Sequence, residues 1–129
     1  MLNPIFVAID TPDLEDARQL ATNLSGHIGG IKVGLEFFCA NGVAGVLELT
    51  QLGMPIFLDL KFHDIPNTVA GALRGAMTAH PSILNVHATG GEDMLKTAVA
   101  TVEECTVKMS CRKPLLIAVT MLTSLDSKD

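Results

Sequence analysis

An alternation constrains this chain more than any other feature. Short, continuous apolar runs recur at a step of roughly 24–31 residues, and a stretch of helical periodicity follows each of the first four. Residues 5–9, 31–34, 55–61, 83–87 and 114–120 are the expected strands. After the first, Leu14, Ala17, Leu20, Ala21 and Leu24 form one apolar stripe. Thr11 is the expected N-cap of that helix, with Pro12 at its first position and Asp13 in its first turn. Residues 37–52 (weakened by Gly42 and Gly45), 67–79 and 91–104 supply three more helices. Strands apolar on both faces, separated by amphipathic helices, specify a parallel sheet covered by helices.

Two architectures satisfy that description, a doubly wound sheet and a barrel. Polar residues collect at the carboxyl ends of the strands: Asp10, Lys32, Asp59 with Lys61, His87, and Thr120 with Thr123. In a barrel those ends converge on one mouth, where the chemistry sits. A doubly wound sheet would place a glycine-rich turn after its first strand. Here that turn is Asp10-Thr11-Pro12-Asp13, and Gly29, Gly30 and Gly34 lie across a strand instead. The expected fold class is therefore α/β, of the (β/α)₈ TIM-barrel kind, in a single domain over residues 1–129. A closed barrel has eight strands and about 250 residues. Five strands and four helices make an incomplete barrel, the N-terminal portion of one. Its first and fifth strands are expected to be unpaired apolar edges, with 115–122 the segment most prone to aggregation.

Composition removes several classes of function. Apolar residues are 48% of the chain and charged residues 18%, which is not the make-up of a disordered chain. Nine basic against fourteen acidic residues leave a net charge of −5. The densest basic group is Lys108, Arg112 and Lys113, too sparse for a phosphate-backbone stripe, so no nucleic-acid partner is expected. With no Trp or Tyr there is also little for single-stranded bases to stack on. Cys39, Cys105 and Cys111 lack paired spacing and suit reduced thiols. The N-terminus has no basic segment before its apolar run, and no run of 18 apolar residues exists. A cytoplasmic protein with no membrane partner is the resulting expectation.

The densest chemistry lies in Asp59-Leu60-Lys61-Phe62-His63-Asp64-Ile65-Pro66-Asn67-Thr68. Alternation along a strand puts Asp59 and Lys61 on one face. Buried charges persist only when paired, and Lys32 from the second strand can complete a Lys–Asp–Lys–Asp set with Asp64. Such a set can present an ammonium proton beside negative charge developing on carbon. A structural salt-bridge network is the bland alternative for three such positions alone. His63 and His87 are expected as scaffold residues, although with Asp64 they are the nearest approach to a metal set. His27 and His80 are expected in loops or at helix ends.

The string from Asp59 to Thr68 resembles the orotidine 5′-phosphate decarboxylase family. The resemblance runs on through Val7-Ala8-Ile9-Asp10, Ile31-Lys32-Val33-Gly34, Asn85-Val86-His87-Ala88-Thr89-Gly90-Gly91 and residues 115–124. It implies a barrel enzyme without cofactor or metal, a lyase of pyrimidine biosynthesis that converts orotidine 5′-monophosphate to UMP and CO₂. It also implies a homodimer with shared active sites. By the same resemblance, Lys61 donates a proton to C6 of the pyrimidine and Asp59 lies against the substrate carboxylate. Lys32 pairs with the acids and contacts the ribose, and Asp10 binds a ribose hydroxyl. Asp64 and Thr68 reach the partner subunit's site, Ile65 and Pro66 line the site, and Thr123 contacts the pyrimidine or its carboxylate region.

The family's phosphate grip, a glycine-bearing loop and an arginine after later strands, has no counterpart in these 129 residues. Weak substrate binding and little or no activity of this chain by itself are the corresponding expectations. Two other readings compete with the decarboxylase. One is a metal-dependent sugar-phosphate decarboxylase or aldolase of the same superfamily, with Glu36 as the acid near the second strand. The other is an inactive half-barrel that only self-associates.

Overall fold

The computed structural model describes residues 3–126. Five strands alternate with four α-helices: β1 (Phe6–Ile9), α1 (Leu14–Leu24), β2 (Gly30–Gly34), α2 (Leu35–Thr50), β3 (Ile56–Phe62), α3 (Pro66–Met77), β4 (Ile83–His87), α4 (Glu92–Lys108) and β5 (Leu115–Val119). A 3₁₀ turn at Ala88–Gly90 precedes α4. The strands form one sheet in the order β1-β2-β3-β4-β5, every pair parallel. This is the α/β half-barrel arrangement expected from the alternation.

Register sorts the side chains onto two faces, because cross-strand partners in a parallel sheet point the same way. Val33, Leu58, Leu84 and Leu116 share one face. The first three are fully buried there, in a core completed by Ala17, Ala21, Phe37, Val46, Leu73 and Met94 from the helices. The other face carries Lys32, Phe57, Ile83 and Leu115 in one row. On β5 this second face is open: Leu115 is 59% exposed and Ile117 36%. Burial is thus complete on the helix-covered face of the central strands, half-complete at Lys32, Phe57 and Ile83 on the other face, and least on β5, an outer strand of this sheet.

The start of α1 differs from expectation. Asp13, not Thr11, is the N-cap: its carboxylate accepts the Asp16 N–H at 2.9 Å. Thr11 stands one step earlier, its hydroxyl accepting the Asp13 N–H at 3.2 Å, so Pro12 falls outside the helix. A carboxylate at the N-cap also opposes the positive end of the helix dipole, which a threonine hydroxyl cannot do as well. Helix α2 begins at Leu35, directly after β2, and is interrupted at Gly42, whose φ of 61° and ψ of −161° are non-helical. Asn41 ties the first part of α2 to the β1–α1 loop, donating to the Pro12 carbonyl at 2.8 Å. In α3, Pro66 takes the first position, where its missing N–H costs nothing.

Candidate active site

The charged residues meet on the open face of β2 and β3. Lys61 Nζ lies 2.6 Å from Asp59 Oδ1, and Lys32 Nζ lies 3.3 Å from Asp59 Oδ2. Asp59 is buried, with 8% of its surface exposed, while each lysine keeps roughly a third of its side chain in contact with solvent. One carboxylate therefore holds two ammonium groups at the rim of a hollow. Burial pushes the Asp59 carboxyl up. Hydrogen bonds from Lys61 and Asn85, the charge of Lys61 and a hydrogen bond from Lys32 outweigh it and hold the pKa below the ordinary 3.8. Asp59 is an anion throughout the physiological range.

The backbone that presents this pair is not a regular strand. Leu58 pairs with Leu84 and Phe62 with Val86, so Asp59, Leu60 and Lys61 together face only Asn85. That is a bulge, which re-aims side chains and interrupts the ladder. Lys61 sits in it at φ 48°, a left-handed conformation that a lysine adopts only when its surroundings impose it. Alternation correctly put Asp59 and Lys61 together, but the contact is made through this irregularity.

Two adjoining hollows flank the pair. One is lined by Asp10, Lys32, Glu36, Phe37, Asp59 and Lys61. The other is lined by Lys61, His63, Asp64, Thr68, Val69 and His87. Asp10 lines the first hollow and Thr68 the second, on either side of Lys61. Asp64 borders the second hollow, but no ion pair joins it to either lysine. Its carboxylate accepts the N–H of Ile65 at 2.7 Å, fixing the turn into α3. The Lys–Asp–Lys set therefore closes on Asp59 alone within this chain. Ile65 is 66% exposed, and neither it, Pro66 nor Thr123 lines these hollows. Thr123 is exposed in a turn beyond β5. The His63 and His87 rings lie with centroids 5.1 Å apart, tilted by 39° to one another. Among the described residues no group of three or more His, Cys, Asp or Glu side chains is gathered to hold a metal ion. No described helix is long and apolar enough to cross a membrane.

Asn85 was not singled out from the sequence. It is 1% exposed, and its amide nitrogen donates to Asp59 Oδ1 at 2.6 Å. A signal was present: a lone amide inside the run Ile83-Leu84-Asn85-Val86 must find partners, since buried polar groups are hydrogen-bonded.

Parallel strands in chain order, with a paired lysine–aspartate cluster toward their carboxyl ends, place the chain in the (β/α)-barrel fold class. The sequence profile of the orotidine 5′-phosphate decarboxylase / HUMPS family matches residues 3–129, and the chain belongs to that family. It is 54% identical over 129 residues to the orotidine 5′-phosphate decarboxylase of Sphingopyxis alaskensis, covering 100% of this chain and 54% of that protein. To the Rhodospirillum rubrum enzyme of the same name it is 52% identical, covering 98% of this chain and 52% of the relative. The crystal structure of orotidine 5′-phosphate decarboxylase from Lactobacillus acidophilus superposes with a TM-score of 0.88 at 37% identity, over 98% of this chain and 56% of that one. The chain spans about half the length of the curated relatives it matches.

Proposed function

We propose that this chain carries the acid–base half of an orotidine 5′-monophosphate decarboxylase. The observation that supports this most directly is the Lys61–Asp59–Lys32 cluster, at 2.6 and 3.3 Å, in a chain of this family. In the proposed reaction the bond between C6 and the carboxylate breaks, CO₂ leaves, and the electron pair stays on the ring carbon. The Lys61 ammonium stabilises that charge and transfers its proton to C6. Water then reprotonates the amine. Preorganised charge of this kind lowers a barrier because it needs no rearrangement during the reaction. Each 1.36 kcal/mol of such stabilisation is worth about tenfold in rate.

Asp59 has two roles in this reading. It keeps Lys61 and Lys32 in place, and it stands against the substrate carboxylate, which disfavours the bound acid relative to the departing CO₂. Lys32 and Asp10 share the first hollow and are assigned to the ribose. Asp64, Ile65, Pro66 and Thr68 are assigned to a site shared across a homodimer, and Thr123 to the pyrimidine side. The chemistry asked of these residues needs no cofactor. A cytoplasmic enzyme of UMP synthesis is the physiological setting.

The test is release of CO₂ from orotidine 5′-monophosphate by this chain, at high substrate concentration because remote phosphate contacts normally aid turnover. Turnover that survives EDTA and disappears in Lys61→Ala supports the proposal. Turnover unchanged in Lys61→Ala, or none at any substrate concentration, overturns it for this chain.

A further inference from the structure

The bulge in β3 creates a difficulty that Asn85 resolves. Three residues, Asp59 to Lys61, face one residue of β4. The ladder cannot serve all their backbone groups, and an unpaired buried N–H is costly. The Asn85 side chain supplies what the ladder does not: its Oδ1 accepts the Lys61 N–H at 2.7 Å. Its Nδ2 donates to Asp59 Oδ1 at 2.6 Å, the same oxygen that accepts from Lys61 Nζ. The amide's orientation is settled by its partners, because a backbone N–H only donates and an ionised carboxylate only accepts. Asn85, Asp59 and Lys61 thus close a ring of three hydrogen bonds. Among the described residues no buried side-chain nitrogen or oxygen lacks a partner.

We infer that Asn85 is a positioning residue: its side-chain amide holds Lys61 in the left-handed backbone conformation of the bulge and fixes the Asp59 carboxylate beside the Lys61 ammonium. The inference rests on the reading of Lys61 and Asp59 as the reacting pair. An apolar residue of similar size would fit the strand but leave the Lys61 N–H and one Asp59 lone pair unserved. Lys61 would then lose the constraint that keeps its φ positive, and its ammonium would no longer be delivered to one place.

The two bonds separate by substitution. Asn85→Leu removes both. Asn85→Asp keeps an acceptor for the Lys61 N–H but, when ionised, has no donor for Asp59 and places a second carboxylate against it. Both variants are read by NMR on this chain, following amide exchange at Lys61 and the carboxyl titration of Asp59. In Asn85→Leu the Lys61 amide should exchange about tenfold faster, the loss of one hydrogen bond, and Asp59 should titrate at higher pH than in the parent. In Asn85→Asp the Lys61 amide should keep its protection, while one carboxyl of the pair titrates well above the ordinary range. Unchanged Lys61 exchange in a folded Asn85→Leu overturns the inference. Should Asn85→Leu not fold, an unshifted carboxyl titration in Asn85→Asp overturns it. These readings do not depend on turnover. A parent chain with this ring intact and no decarboxylation would sink the functional reading and leave the positioning role standing. Where the parent is active, kcat should fall in Asn85→Leu with KM little changed.

Discussion

Asp59→Asn removes one negative charge from between two lysines and keeps the shape of the side chain. In the parent, that carboxylate accepts from Lys61 and Asn85 at 2.6 Å and faces Lys32 at 3.3 Å. Hydrogen bonds to a charged group contribute roughly 1.5–3 kcal/mol each when buried. The lysine side chains are 32% and 27% exposed, so solvent screens part of that. The substituted amide oxygen also keeps a weaker bond to Lys61. A net loss of about 2 kcal/mol at neutral pH follows, equivalent to a fall of about 1 M in the urea midpoint. The pH dependence is the sharper test. The folded pKa of Asp59 lies below the ordinary 3.8, so its contribution is fully present above about pH 4 and is lost as the pH falls through the folded value. Parent and variant should therefore converge in acid, where a protonated Asp59 is nearly an asparagine. Other acids titrate in both proteins and cancel in the difference. Urea titrations followed by circular dichroism suit a chain without Trp or Tyr. A gap of the same size at pH 7 and at about pH 3, or no gap at neutral pH, would refute the reasoning.

Two further outcomes test the fold beneath the site. Leu84 is fully buried in β4, so Leu84→Ala should cost about 2–5 kcal/mol and lower the urea midpoint accordingly. At the start of α1, Asp13→Ala should cost about 1 kcal/mol, because it removes the cap to Asp16, and Thr11→Val should cost clearly less. Equal losses in the two thermal melts would return the capping role to Thr11.

The parts legible from sequence were those written in periodicity and charge. The run from Ile83 to His87 became β4 with those limits, because its apolar residues sit between two turns and nothing competes for them. Lys32, Asp59 and Lys61 came together because strand alternation and burial leave two cations and an acid few other arrangements. The bulge was not legible: nothing in Asp-Leu-Lys-Phe announces a left-handed lysine, since that conformation is imposed by Asn85 across the sheet. The N-cap was misplaced because Thr11 and Asp13 are both good caps, and only the path of the chain decides which one meets a free N–H. Spacing put Asp64 near the cluster, and within this chain the turn into α3 leaves its carboxylate accepting the Ile65 N–H at 2.7 Å rather than meeting Lys32 or Lys61.

The order of strands in the sheet repeats their order in the chain. Val7 meets Ile31, Val33 meets Leu58, and Leu84 meets Leu116, so each pairing closes a loop of one helix and its turns. Among the described strands no pairing waits for a distant segment, and the entropic cost of closure is similar at each step. The ring around Lys61 draws only on β3 and β4, and Lys32 of β2 joins it through Asp59. In a polypeptide that folds as it is synthesised from its N-terminus, Asn85 is the last of these residues to emerge. In such a polypeptide the lysine and its counter-charge would precede the amide that sets them, and the ring would close only once β4 is in place.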